Sequence, residues 1–478
     1  MQLKSIITSL VLFIFVHSSI AQKINSQYKY YIHKTAEKIT IDGIMSEAVW
    51  QNAQVTSPFA MVLPMDTSVA KVPTEVRMTY DNENLYIIAT CFKSVAGQDM
   101  VESLKRDWNF GKNDNFILFM DTYGDLTNGF AFGANAAGAQ WDGTMYEGGS
   151  VDLNWDNKWT SNVTNDANRY IWEAAIPFKS IRYKAGIMEW GINFSRNDLI
   201  TTEKSSWAPV PRQFPTASLA YTGQLIWDEA PPEIGSNVSV IPYVLAGGSK
   251  NIEQNKPTSY KRQIGVDAKV AVTSSLNLDL TINPDFSQVE VDRQVTNLDR
   301  FELFFPERRQ FFLENGDQFS NFGYTTIRPF FSRRIGLNAP IQFGARLSGK
   351  INKDWRMGFM NMQTERVVSK LTPSQNYTVM ALQRKVFARS NIGFLFVNRE
   401  QILQRDEKDP VYQANPYNRN LGLEYNLASA NNLWTGKAVF LKSFSKNFSK
   451  EDWVHAANLQ YSSKRWTLNW QQEYVGKR

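Results

Sequence analysis

From residue 235 to the C-terminus the chain repeats one pattern. NVSVIPYVLAGG, RQIGVDAKVAVT, LNLDLTINP, PIQFGARLSGKI, DWRMGFMNMQT, NYTVMALQRKVF, NIGFLFVNR, LWTGKAVFLKSF, HAANLQYSS and WTLNWQQEYV alternate apolar and polar residues. A period of two sends the two kinds of side chain to opposite faces of a strand. Short turns at Asn352-Lys353-Asp354, Ala388-Arg389-Ser390 and Ser463-Lys464-Arg465 join several runs, and 249–260 and 400–418 are longer loops. Strands of about ten residues, tight turns at one end and longer loops at the other are the pattern of an antiparallel outer-membrane β-barrel. Tyr, Trp and Phe near the strand ends suit its interfacial girdles. No four-strand period is visible, which argues against a propeller. A mean hydropathy of −0.37 fits strands whose second face meets a polar interior. About ten to twelve strands are expected from 236 to 478. The chain ends in QQEYVGKR without a terminal aromatic, so the barrel is expected to be truncated or incomplete.

Residues 1–21 read as a signal peptide: Lys4, then the apolar run IITSLVLFIFV, then small residues at Ser19-Ile20-Ala21. The run is too short to span a bilayer as a helix. Nothing later forms a transmembrane helix, so entry into a membrane requires a barrel, which satisfies its own backbone. The expected destination is the outer membrane, with the first domain periplasmic or at the surface. The 52 basic residues face 46 acidic ones with no long basic run, which excludes nucleic acid as a partner. Cys91 is the one cysteine, and His33 and His455 are the only histidines beyond the leader. Disulfides and His- or Cys-based chemistry are therefore poorly provided for.

Residues 30–228 read differently. KITIDGIMSEAVWQNA combines a short strand, a turn at Asp42-Gly43 and a short helix capped by Ser46. TEVRMTYDNENLYIIATCF is a hairpin turning at Asp81–Asn84, and NFILFMDTYGDLTNGFAFGANAAG flanks Tyr123-Gly124-Asp125 with two more strands. RYIWEAAIPFKSI and EWGINFSRND continue the series. Short strands punctuated by turns predict an antiparallel β-sandwich. The proline- and acid-rich stretch 229–235 is a natural linker.

The ordered series IDGIMSEAVW, YDNENLYI, DNFILFMDT and WEAAIPFKSI resembles the family 9 carbohydrate-binding modules over roughly 190 residues. The resemblance implies a β-sandwich that holds sugar ends between aromatic rings and often carries structural calcium. It also implies structural roles for Glu173 and Pro177. Sugar rings stack on indole and phenol faces while carboxylates and amides take the hydroxyls. QWDGTMYEGGSVDLNWDNKW is dense in such groups. The candidate saccharide ligands are Trp108, Trp141, Asp142, Tyr146, Glu147, Trp155, Asp156, Trp159 and Trp207. The hard oxygens of the same segment, on Asp142, Glu147, Asp152, Asn154 and Asp156, are also spaced to hold calcium. The competing reading of Trp155 and Trp159 is packing in the core or under loops.

Between the third barrel strand and the next hairpin, residues 283–334 carry eight acids, seven arginines and a dense set of phenylalanines. Near-balanced charge interleaved with Phe predicts an insert packed in a polar cavity with its ions paired, because the Arg fork binds carboxylates two-pronged. Glu302, Glu307, Arg308, Arg309, Glu314, Arg333 and Arg334 are the expected participants. The motifs NPDFSQVEVD, NLDRFELFFPERRQFFLENGDQF and SRRIG resemble an uncharacterised family of bacterial outer-membrane barrels. Members of that family usually carry a family 9-like module at the N-terminus.

Three readings of function follow. The first is saccharide capture or catabolism by an outer-membrane protein, with oligo- or polysaccharide and membrane lipid as partners and other envelope proteins as further ones. The second is a transport or assembly barrel in which the sandwich serves as plug or docking domain. The third is glycoside-hydrolase-associated activity, which needs two carboxylates roughly 5–9 Å apart across the bond. No motif places such a pair, so no catalytic residue is assigned.

Overall fold

The computed structural model describes residues 24–97, 99–232, 238–250, 252–253, 257–284, 296, 305, 307–337, 339–402, 416–446 and 452–476. The leader, Glu302 and residues 233–235 of the linker lie outside them. The chain is all-β apart from short helical turns.

The first unit contains β1 (Lys29–Ile32), β2 (Ala60–Leu63), β3 (Thr74–Tyr80), β4 (Asn84–Phe92), β5 (Asn115–Asp121), β6 (Gly129–Asn135), β7 (Gln140–Tyr146), β8 (Ser150–Asp152), β9 (Thr160–Asn165), β10 (Arg169–Pro177), β11 (Glu189–Asp198), β12 (Glu203–Ser206) and β13 (Gly223–Trp227). One sheet runs β1-β13-β11-β5-β6-β7-β8, with β12 bridging β11 to β2, and the other runs β3-β4-β10-β9. Among the described strands only β1 and β13 pair in parallel, beside an isolated parallel bridge between Lys34 and Tyr80. Strand β4 reads as a continuous apolar run because both its faces are covered. Leu85, Ile87, Ala89 and Cys91 enter the core between the sheets. Tyr86 and Ile88 meet Ile39 and Trp50 on the opposite face. Trp50 comes from helix α1 (Ala48–Asn52). The expected Ser46 cap is not what holds α1. The Glu37 carboxylate accepts the Ala48 and Val49 amides at 3.2 and 2.9 Å, while the Ser46 hydroxyl turns to Glu47. A carboxylate at the positive end of the helix gains charge as well as hydrogen bonds.

The second unit is a meander of eleven antiparallel strands. They are β14 (Val238–Ser249), β15 (Ser259–Thr273), β16 (Leu276–Ile282), β17 (Ile341–Lys350), β18 (Trp355–Thr364), β19 (Gln375–Val386), β20 (Ser390–Gln401), β21 (Tyr417–Ala428), β22 (Trp434–Ser445), β23 (Trp453–Ser462) and β24 (Thr467–Val475). Among the described residues β14 and β24 do not pair with each other. The alternation gives the sheet two unlike faces. Ile282, Phe343, Phe359, Leu423, Phe440 and Trp470 stand exposed on one. Asp279, Arg346, Met360 and Glu424 lie buried on the other. No helix among the described residues is long and apolar enough to cross a membrane.

Of the Phe-rich insert, residues 285–295, 297–304 and 306 lie outside the described residues, and residues 307–334 lie against the buried face. Its turns α2 (Gln310–Leu313) and α3 (Asp317–Ser320) carry Phe311, Phe312 and Phe319 into one apolar cluster with Met360, Met362, Val379, Leu395 and Leu441. Two strand glycines make room for the rings. A Cβ on Gly358 would stand 2.5 Å from Phe319, and one on Gly422 would stand 2.7 Å from Phe322. The turns that join β15–β16, β17–β18, β19–β20, β21–β22 and β23–β24 all face the sandwich. Ser275 donates to the Tyr183 carbonyl at 3.4 Å, Lys350 pairs with Asp125, and Tyr221 donates to the Asn431 carbonyl at 3.3 Å. Lys464 reaches Asp66 at 3.0 Å, and Arg389 lies against Gly148. The sandwich thus caps the short-turn end, and the insert enters from the long-loop end.

Candidate functional site

Sandwich, insert and sheet meet around a cavity of about 390 Å³. The β7–β8 hairpin supplies Tyr146, Asp152 and Asn154 to its wall, the insert supplies Phe312, Phe330 and Arg328, and the sheet supplies Arg346 and Met360. Such a volume lies within the roughly 300–1,000 Å³ of small-molecule sites. Asp152 is steadied by Asn154, whose backbone and side-chain amides both donate to Oδ1, at 3.0 and 2.7 Å. Arg346 gives Nε and Nη2 to Asp279 at 3.2 and 2.8 Å. Its Nη1 is buried without a hydrogen-bond partner.

The sequence-selected residues divide into three groups. The five indoles are all buried: Trp108 and Trp141 pack together with ring centres 6.2 Å apart, and Trp155, Trp159 and Trp207 belong to the main core. Trp155 and Trp159 lie against Phe132, with ring centres at 6.0 and 5.4 Å. Indoles mostly inside a core leave no ring face free for a sugar. Tyr146 reaches the cavity. Glu147 instead pairs with Lys437 of β22 at 2.9 Å, and so docks the sandwich to the sheet.

Asp142 and Asp156 form the third group, with Asp107. Their carboxylate oxygens lie within 4.8 Å of one another. Arg106 pairs with Asp142 and reaches Asp156 at 2.7 Å. Burial and then the neighbouring Asp142 and Asp156 carboxylates push Asp107 up to about 7. Burial likewise pushes Asp142 up to about 6, against the pull of Arg106. Three carboxylates against one guanidinium leave negative charge unmatched, and hard oxygen donors suit calcium. Asp107, Asp142 and Asp156 are the residues that would hold the calcium the resemblance implies. Millimolar Ca²⁺ is expected to raise the melting temperature of the chain by several degrees at pH 8, and Asp156→Asn with Asp142→Asn to abolish the rise. An equal response in the variant would remove the cluster as the ligand set.

The insert's pairs are only partly internal. Glu307 grips Arg309 at 2.7 and 2.8 Å and accepts the Ser332 hydroxyl at 2.6 Å. Arg309 also donates to the Ile335 and Ser332 carbonyls at 2.7 and 2.6 Å. The Arg308 amide donates to Glu307 at 3.0 Å. Arg333 sits over the Phe305 ring at 5.8 Å, and Arg334 follows it in a short 3₁₀ turn. Glu314 turns outward instead, to Lys269 of β15 and, at 3.6 Å, to Arg182 of the sandwich. Asp317 takes both Nη groups of Arg356 from β18, at 2.5 and 2.8 Å. Lys350, Arg356, Lys385 and Lys437 were not singled out from the sequence. The available signal was their placement near the turn-proximal strand ends, at inward-facing positions.

Residues 41–211 match the family described as carbohydrate family 9 binding domain-like, and residues 236–353 match a domain of unknown function, DUF5916. No curated protein matches the chain. Among solved structures, a carbohydrate-binding module family 9 from Caldicellulosiruptor kristjanssonii in complex with cellotriose is 13% identical. It covers 42% of this chain and 94% of its own, with a TM-score of 0.31. Its complex with glucose gives the same identity and TM-score over 96% of its length. Wzi, an outer-membrane protein involved in group 1 capsule assembly in Escherichia coli and a carbohydrate-binding β-barrel, is 11% identical. It covers 89% of this chain and 79% of its own at a TM-score of 0.22. Residues 41–211 thus lie in a β-sandwich and match the carbohydrate family 9 binding domain-like family, and the large antiparallel sheet that follows contains the DUF5916 match.

Proposed function

We propose that this chain is an outer-membrane saccharide-binding protein whose sandwich lies on the periplasmic side. The family 9-like match supports saccharide as the ligand class. The observation that carries the rest is the two-faced sheet, with exposed Ile, Leu, Phe and Trp on one face and a charged, insert-filled surface on the other. A sheet with that distribution meets lipid outside and a polar lumen inside. Short turns are the periplasmic feature of such barrels, and the sandwich caps the short-turn end. On this reading the chain falls into a sandwich over 30–228, a linker over 229–235 and a membrane sheet from 236, with 283–334 as the lumenal insert. The second reading, a docked cap on a transport barrel, draws on the Asp125–Lys350 and Glu147–Lys437 pairs.

Calorimetry of the full chain in detergent, with calcium, against a panel of oligosaccharides is expected to show binding to at least one of them. Migration on a gel is expected to change on heating. No heat with any sugar would count against saccharide binding, and migration indifferent to heating would count against the barrel.

A further inference from the structure

We propose that the chamber between the β7–β8 hairpin, the insert and the sheet accepts a saccharide bearing a carboxylate, with Arg346 as the group that selects the acid. This rests on the saccharide-binding reading and names the class of sugar.

The chamber is built from three parts of the chain and has the two components that sugar recognition needs. The half-buried Tyr146 offers ring surface, Tyr146 and Asn154 offer groups for hydroxyls, and the buried Phe312 and Phe330 back the wall. Arg346 is the decisive residue. It is 1% exposed, and Asp279 occupies only two of its three nitrogens. The centre of the Phe311 ring lies 5.3 Å from its guanidinium carbon, and Nη1 has no hydrogen-bond partner. A buried donor left unmade is costly, and a guanidinium edge is matched best by a planar carboxylate. The two acids of the lining do not fill that role. Glu307 is committed to Arg309 and Ser332, and Asp152 to Asn154. Arg328 adds a second cation to the same wall. A neutral sugar would satisfy the aromatic and amide groups but leave the Arg346 edge unpaired. A uronic-acid residue would satisfy all of them.

The test is calorimetry on the full chain in detergent, with a glucuronate-containing oligosaccharide and its neutral, glucose-containing counterpart of equal length. The acidic sugar is expected to bind at least tenfold more tightly. The advantage is expected to vanish in Arg346→Gln with Asp279→Asn, a pair that removes both charges and leaves no buried carboxylate behind. Arg346→Lys is expected to keep part of the preference, because the charge remains without the fork. Equal affinity for the two sugars would overturn the acid preference while leaving saccharide binding intact. A preference that survives the double variant would exclude Arg346 as its source. Binding of neither sugar would overturn this inference, and only silence across the whole oligosaccharide panel would overturn the reading beneath it. Should the double variant fail to fold, Tyr146→Ala with Asn154→Ala is expected to weaken both sugars by at least fivefold. Unchanged binding there would exclude the chamber.

Discussion

Asp317→Ala is expected to destabilise the packed insert by about 3 kcal/mol, because it leaves Arg356 buried without its carboxylate. Arg356 is held by Asp317 on α3, by Asn315 at 3.2 Å and by Asn128 of the sandwich at 3.1 Å. One guanidinium from the sheet therefore ties insert and sandwich together. Losing the acid loosens both contacts at once. Limited proteolysis should show new cleavage within 307–337, and denaturant unfolding should begin earlier. Asp317→Ala with Arg356→Met should recover most of the loss, since a buried pair replaced by apolar groups is often neutral. A single variant as protease-resistant as the parent would remove the pair as the tie.

Glu173→Ala is expected to have a comparable effect on the sandwich, roughly 2–4 kcal/mol, by stranding three donors, two of them buried. The Glu173 carboxylate accepts the Asp42 and Gly43 amides at 3.0 and 2.9 Å and the Trp50 indole at 3.2 Å. It thereby fastens the Asp42-Gly43 turn and α1 over the outer face of β10. Gly43 has φ of +79°, and a Cβ there would meet Thr164 at 2.9 Å, so the turn requires glycine at this position. Burial pushes Glu173 up to about 7, against the pull of the two amides. A carboxyl that binds its proton more tightly when folded stabilises the fold at low pH. That contribution fades as pH rises from about 4.5 to 7. The parent sandwich is therefore expected to melt lower at pH 8 than at pH 5, and Glu173→Gln to reduce that difference, the rest coming from Asp107 and Asp142. Thermal melts of the full chain at the two pH values check both statements. An alanine variant that melts with the parent would show that the turn and helix are held by other contacts.

Much of this architecture was legible in the chain itself. Alternation at period two determined the strands of the large sheet, because a pleated strand offers nothing else to a half-apolar sequence. The order of turns and apolar runs from Ile41 to Ile181 determined the sandwich, and the charge and Phe content of 283–334 pointed to a packed segment, as its described residues 307–334 are. Tertiary structure decided what those residues do. The five indoles selected as sugar platforms are core residues, because burial depends on which sheet faces which, and local sequence does not record that. Glu314 and Asp317 pair with Lys269 and Arg356 rather than within the insert, because partners 39 to 45 residues away in the chain become neighbours only when the meander is assembled. The chamber has the same origin. Tyr146, Phe330 and Arg346 are unremarkable apart, and the docking of sandwich, insert and sheet brings them to one wall.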